Sequence, residues 1–235
     1  MKKNILVGQS GGPTAVINAS LYGIIKEAAA HSEQIGSVYG MINGIEGFLS
    51  GHIMDLSKEL SDEDLELLRL TPAAYLGSCR YKLAKPEQDT AQYRVLIDIF
   101  RKYDISYFIY IGGNDSMDTV DKLARYCRSQ QIEDIKIIGA PKTIDNDLME
   151  IDHCPGFASA AKYIATTFAE LERDVAVYDS FGVTIVEIMG RNAGWLTAAS
   201  SLSRVNGNRG PRFYYLCEVP FSVSRFLDDH TKPPV

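Results

Sequence analysis

The sequence predicts an α/β protein, a doubly wound and mostly parallel sheet with helices on both faces. Three observations predict it. The runs Asn4–Val7, Phe108–Ile111 and Ile135–Ala140 are short, apolar and rich in β-branched or aromatic residues, as suits strands covered on both faces. The first two run into double glycines, Gly11-Gly12 and Gly112-Gly113, and each is followed by residues at helical spacing. Strand and helix patterns alternate along the chain without an internal repeat or a low-complexity segment.

In chain order, Asn4–Val7 is the first strand and Gly8-Gln9-Ser10-Gly11-Gly12-Pro13-Thr14 its loop. Val16, Ala19, Gly23, Ile24 and Ala28 then recur at helical spacing up to His31. Ser37–Ile42 reads as a strand closed by a turn at Asn43-Gly44. Ser61-Asp62-Glu63-Asp64 has the acidic first turn of a helix start. The loop Leu76–Tyr81 carries Arg80, and an amphipathic helix over Glu87–Tyr103 leads into the central strand. A helix is expected over Met117–Arg128 and the next strand over Ile135–Ala140. Beyond them come a loop at His153–Phe157, a helix over Ala158–Asp174 and a buried strand over Gly182–Ile188. A helix over Leu196–Ser203 and a strand over Phe213–Cys217 complete the series. The tail Asp228–Val235 shows no element pattern and looks cut short. Two domains are expected, 1–140 and 141–235.

Composition narrows the function classes. With 46% hydrophobic and 23% charged residues the chain has an ordinary globular balance. A formal charge of -6, with no basic run, argues against nucleic-acid binding. Cys79, Cys127, Cys154 and Cys217 are scattered, which fits neither a disulfide framework nor sulfur ligation of a metal and favours a reducing compartment. The N-terminus breaks into glycine too early for a signal peptide, and no apolar run has membrane-spanning length, so no membrane partner and a cytoplasmic location are expected.

Chemistry concentrates in Tyr107–Asp147. Open α/β sheets bind ligands at the carboxyl ends of their strands. There the chain sets Gly112-Gly113-Asn114-Asp115-Ser116 before a helix whose first N–H groups would face an anion. The following strand delivers Lys142, Thr143, Asp145 and Asp147 to the same edge. One cation, one hydroxyl and several carboxylates beside a glycine-rich cradle point to phosphoryl transfer to a hydroxyl. The Gly8–Thr14 loop lacks both the P-loop ending and the dinucleotide spacing, so alone it could equally be a tight turn.

Six motifs in order resemble the phosphofructokinase family: Ser10-Gly11-Gly12, Gly77-Ser78-Cys79-Arg80, Gly112–Ser116, Pro141–Asp147, Met189-Gly190-Arg191 and Cys217-Glu218-Val219-Pro220. The resemblance runs from the first strand to about Phe221. It implies transfer of a phosphoryl group to the 1-hydroxyl of fructose 6-phosphate, with Asp145 as general base. Thr143, Ile144, Asp145 and Asp147 match the substrate segment, with Asp147 near the metal. Met189, Gly190 and Arg191 match the sugar loop, where Arg191 also stabilises transition-state charge. Glu218 matches the carboxylate that accepts bonds from sugar hydroxyls. Gly11, Arg80, Gly112, Gly113 and Ser116 match positions around the donor phosphates.

Asp115 and Lys142 stand where nucleotide-using members carry small glycines, so they join the catalytic set and resemble the pyrophosphate-dependent branch. The carboxylate would obstruct a nucleotide's α-phosphate and the lysine would add a cation beside the transferring group. The plainer alternative is that Asp115 caps the following helix and Lys142 is a solvated charge. Asn114 replaces a magnesium-linked aspartate, so Mg2+ is expected mainly on the diphosphate, with Asn114 the candidate metal contact. The resemblance further implies a reversible, glycolytic reaction and a homodimer or tetramer. Its alternatives are an ATP-dependent or sedoheptulose 7-phosphate-directed kinase of the same scaffold, or a truncated diphosphate-binding chain without turnover, since family members continue well past residue 235.

Overall fold

The computed structural model describes residues 2–180, 182–205 and 207–231. The chain divides into two compact units, Met1–Lys142 and Thr143–Val235.

The first unit is built on five strands: β1 (Lys3–Gln9), β2 (Ile35–Met41), β3 (Ile53–Asp55), β4 (Ile105–Gly112) and β5 (Lys136–Pro141). They lie in the order β3-β2-β1-β4-β5, parallel except for β3, which runs antiparallel to β2. Around it are α1 (Ala15–Ala30), α2 (Gly44–Leu49), α3 (Leu56–Glu59), α4 (Asp62–Leu70), α5 (Ala91–Lys102) and α6 (Asn114–Ser129). Alternation along the strands divides the core between the two sheet faces. Leu6, Phe108 and Tyr110 pack with Phe48 of α2, Leu96 and Phe100 of α5 and Leu123 of α6. Ile5, Val7 and Ile111 pack on the opposite face with Ile17, Leu21 and Ile25 of α1 and Leu65 and Leu68 of α4. The parallel sheet with helices on both faces is therefore present in this unit.

Several boundaries differ from the sequence pattern. The expected turn at Asn43-Gly44 is present, with left-handed φ values of 58° and 61°, and it opens α2, which carries the chain from β2 to β3. The Ser61 hydroxyl accepts from the Asp64 N–H while the Asp64 carboxylate accepts from the Ser61 N–H, so α4 begins behind a capping box. Helix α5 starts at Ala91 rather than Glu87, and α6 starts at Asn114, three residues before the expected Met117. The strand after α6 lies at the sheet edge, which leaves Ile138 exposed instead of buried.

Chain order and strand order together locate a crevice. The chain passes from β1 to β2 on one side and returns to add β4 on the other, so the winding reverses between β1 and β4. Ligands of open sheets bind outside the carboxyl ends at such a reversal. Gly8 holds β1 against that region. An added Cβ there would lie 2.7 Å from the Tyr110 ring and 2.8 Å from the Met41 sulfur, both buried. Gly8→Ala is expected to destabilise the fold by about 1–3 kcal/mol through overpacking, read as a lower midpoint in urea.

In the second unit α7 (Phe157–Val175) precedes α8 (Trp195–Ala199), a 3-10 turn at Ser200–Arg204, and α9 (Val223–Thr231). The expected strands at Gly182–Ile188 and Phe213–Cys217 do not form among the described residues: both segments lack a ladder. A β-branched or aromatic run favours extension, but a strand exists only by pairing with a neighbour. Val183, Ile185 and Val186 are exposed, while Phe213 packs instead on His230 and Tyr215 on Phe226, both of α9, with tilted rings. That helix also takes in Asp228–Thr231, assigned no pattern from sequence; residues 232–235 of the expected tail lie outside the described residues. Among the described residues no helix is long and apolar enough to cross a membrane.

Candidate active site

The crevice in the first unit is framed by the Gln9–Gly12 turn, the strap 76–83 and the start of α6. Fully buried Gln9 organises the first two. Its amide N–H donates to the Ile17 carbonyl (3.1 Å) and the Asn18 side-chain oxygen (3.1 Å), and its oxygen accepts from the Leu76 N–H (2.9 Å). Asn18 in turn donates to the Thr71 carbonyl (2.9 Å) and accepts from the Tyr75 N–H (2.8 Å). Two buried amides thus tie a segment about sixty residues away to the end of β1, and each would be costly to bury without those partners.

The strap is fastened again at its middle. The Ser78 hydroxyl donates to the Gly11 carbonyl (2.6 Å), and the Ser10 hydroxyl and Gly11 N–H both reach the Cys79 carbonyl at 3.5 Å. Behind it, buried Tyr110 lies 3.9 Å from the Cys79 sulfur, and burial raises its phenol pKa far above the usual value. Arg80 follows on this strap with its side chain exposed.

The glycines of the cradle do different things. Gly11 has φ +80°, a conformation that penalises any side chain. Gly12 is exposed and a Cβ added there would meet nothing within 4 Å, which leaves open space beside the turn. Gly112 is required from within: a Cβ would lie 2.0 Å from the Ser116 hydroxyl and 3.2 Å from the Ser10 carbonyl. Ser116 is correspondingly buried in the first turn of α6, packed against the end of β4. Gly113 is the N-cap of α6, with Asn114 and Asp115 exposed immediately behind it.

Asp115 therefore does not cap the helix. Its carboxylate pairs with the Lys82 ammonium at 3.1 Å, from the strap. Nor is Lys142 a solvated charge. It is 4% exposed, and its ammonium donates to the Gly12 carbonyl, 3.5 Å from where a Cβ on Gly11 would sit. The Lys142 N–H donates to the Gly112 carbonyl (2.9 Å), which continues the pairing of β5 with β4. The first unit thus gathers Gly11, Arg80, Gly112, Gly113, Asn114, Asp115, Ser116 and Lys142 around one crevice.

The remaining candidates belong to the second unit, where Thr143–Asp147 forms a tight turn. The Thr143 hydroxyl accepts from the Asp145 N–H (3.2 Å). Between Asp145 and Asp147, buried Asn146 takes a left-handed φ of 56°. Its side chain donates to the Asp152 carbonyl (3.1 Å) and accepts from the Cys154 N–H (2.7 Å). Asparagine tolerates this conformation better than most residues, and here it fixes the backbone that carries Ile144 and both carboxylates.

Met189, Gly190 and Arg191 lie on a loop whose sharp bend Gly190 permits, at φ +120°. That loop ends at Gly194, which donates its N–H to the Glu218 carboxylate at 2.7 Å. The bond joins Glu218 to the Met189–Gly194 loop. This N–H, then the residue's own N–H and the Cys217 thiol, hold the Glu218 carboxyl below its usual pKa. Sequence reasoning missed Gln9, Asn18, Asn146 and Lys82. Only Lys82 left a local signal, a second cation two residues after Arg80.

Comparison with known proteins follows the same lines. The phosphofructokinase family model matches residues 4–232. The chain is 45% identical over 226 residues to a pyrophosphate–fructose 6-phosphate 1-phosphotransferase of Xanthomonas campestris, covering 95% of this chain and 53% of that protein. It is 44% identical over 220 residues to the protein of the same name from Halomonas elongata, covering 93% and 52%. The crystal structure of a pyrophosphate-dependent phosphofructokinase from Marinobacter aquaeolei superposes with a TM-score of 0.83 at 44% identity, covering 97% of this chain and 56% of that one. The chain spans about half the length of the curated relatives it matches. It belongs to the phosphofructokinase family.

Proposed function

We propose that the chain is part of a pyrophosphate–fructose 6-phosphate 1-phosphotransferase, with the first unit binding diphosphate and the second the sugar phosphate. The observation that carries this reading is the buried Lys142 ammonium at the Gly11–Gly12 turn, on a residue whose backbone N–H is bonded to Gly112 just ahead of α6. A fixed cation and helix N–H groups suit a small, highly charged anion, and cost no reorganisation when negative charge develops during transfer. Relatives bearing the diphosphate-dependent name at 44–45% identity support the same donor.

In this reading the 1-hydroxyl oxygen of fructose 6-phosphate attacks one phosphorus of diphosphate. The bridging P–O bond breaks and orthophosphate leaves. Asp145 takes the hydroxyl proton, Lys142 and Arg191 meet the developing charge, and the Glu218 carboxylate accepts from sugar hydroxyls. The Thr143 hydroxyl, already accepting from the Asp145 N–H, retains its proton to donate to a phosphoryl oxygen. Because neither side gains a large driving force from nucleotide hydrolysis, the same groups serve the reverse direction.

Mg2+ takes few protein ligands and keeps several waters, so in this reading the diphosphate itself would carry most of its coordination, with the exposed Asn114 amide oxygen as this chain's contact. When bound, Mg2+ would neutralise phosphate charge. Free cysteines at all four positions fit a reducing, cytoplasmic setting for a glycolytic reaction. A homo-oligomer is the assembly proposed.

The test is formation of fructose 1,6-bisphosphate from fructose 6-phosphate with Mg2+ and either diphosphate or ATP. Turnover with diphosphate alone is expected; turnover with ATP alone would overturn the donor assignment.

A further inference from the structure

Asp115 poses an electrostatic problem. A carboxylate in the first turn of α6 obstructs the bulk of a nucleotide, but its charge would also repel inorganic diphosphate. The Lys82 ammonium, 3.1 Å from it, answers that problem.

The position of Lys82 is set by its neighbours. Before it, Ser78 and Cys79 are bonded to Gly11. After it, buried Leu83 has its carbonyl held by the Lys122 ammonium of α6 at 3.0 Å, and Lys122 is itself paired with Asp118 at 2.6 Å. The strap therefore crosses the start of α6 with its backbone fixed on both sides of Lys82. An exposed ion pair on a loose tether contributes little to stability. Here its consequence is local charge: the pair leaves the carboxylate's volume in place and cancels its sign, so Lys142 and Arg80 set the charge that an entering anion meets.

We propose that Lys82 determines donor specificity: by pairing with Asp115 it lets the site exclude a nucleotide by volume while still admitting inorganic diphosphate. This rests on the diphosphate reading above. Lys82 acts through Asp115 and is a positioning residue rather than a catalytic one.

The test is calorimetric titration of inorganic diphosphate into the whole chain and its variants. Lys82→Ala is expected to weaken binding about tenfold, and Lys82→Arg to stay within about threefold of the unsubstituted chain. Removing both charges, in Lys82→Ala with Asp115→Asn, should restore affinity to within about threefold. The deficit of Lys82→Ala should also shrink as salt rises from about 0.05 to 0.5 M, because exposed charges are screened. A purely structural role would show instead as a lower melting temperature with a salt-independent deficit. Unchanged affinity in Lys82→Ala overturns the inference, as does a deficit that persists in the double variant. If the unsubstituted chain does not bind diphosphate, the reading beneath the inference fails and the inference falls with it; failure of the inference alone appears only in the variants.

Discussion

Asp145→Ala is expected to reduce formation of fructose 1,6-bisphosphate from diphosphate by about a thousandfold, while diphosphate affinity changes by less than about threefold. The expectation rests on chemistry and on local geometry. An alcohol attacking phosphorus must lose its proton, and a positioned carboxylate typically contributes about 10²–10⁴ to such a step. Asp145 sits on a turn of fixed geometry, because Asn146 holds that turn through two hydrogen bonds and the Thr143 hydroxyl accepts from the Asp145 N–H. Asp145→Asn preserves the shape and removes the basicity, so it should lose nearly as much. Product formation followed by a coupled aldolase assay reads the rate, and calorimetry reads diphosphate binding. Turnover retained by both variants would remove Asp145 from the role of base. Lost diphosphate binding would move its role to the donor.

How much of this was legible depended on how local each signal is. Strands β1 and β4 and their glycine turns show in the sequence, because a covered parallel strand is an apolar run and a sharp exit needs glycine. The same pattern misplaced the start of α6, since Asn114 and Asp115 resemble loop residues until Gly113 is seen as the N-cap. Short β3 and the helix opened by Asn43 were invisible, being fixed by pairing with β2 and by one left-handed residue. Gln9 and Asn18 were missed for a related reason: their partners Leu76 and Tyr75 lie far along the chain, and polarity alone does not distinguish a buried amide from a solvated one. At the opposite extreme, Gly182–Ile188 carries the composition of a strand but has no ladder among the described residues. Composition specifies extension; a neighbour completes the strand.

Lys142 carries the second large expectation. Its ammonium is buried at the Gly11–Gly12 turn, so Lys142→Gly removes a fixed cation and Lys142→Met removes the charge at similar volume. A charge-assisted hydrogen bond contributes about 1.5–3 kcal/mol, which corresponds to about 10- to 150-fold in affinity. Both variants should therefore weaken diphosphate binding by that factor. A loss confined to Lys142→Gly would instead trace the effect to packing. Replacing Asp115 and Lys142 together with glycine takes the argument to donor choice. In the proposed reading it removes the cation that would favour a small anion and the side chain that would obstruct a larger one, while Lys82, released from its carboxylate, remains as a cation on the strap. The double variant should lose most diphosphate turnover and gain competitive inhibition by ATP. An unchanged diphosphate rate would show that neither residue selects the donor. Loss of diphosphate turnover without any ATP binding would leave Lys142 as the affinity determinant and refute Asp115 as the barrier to a nucleotide.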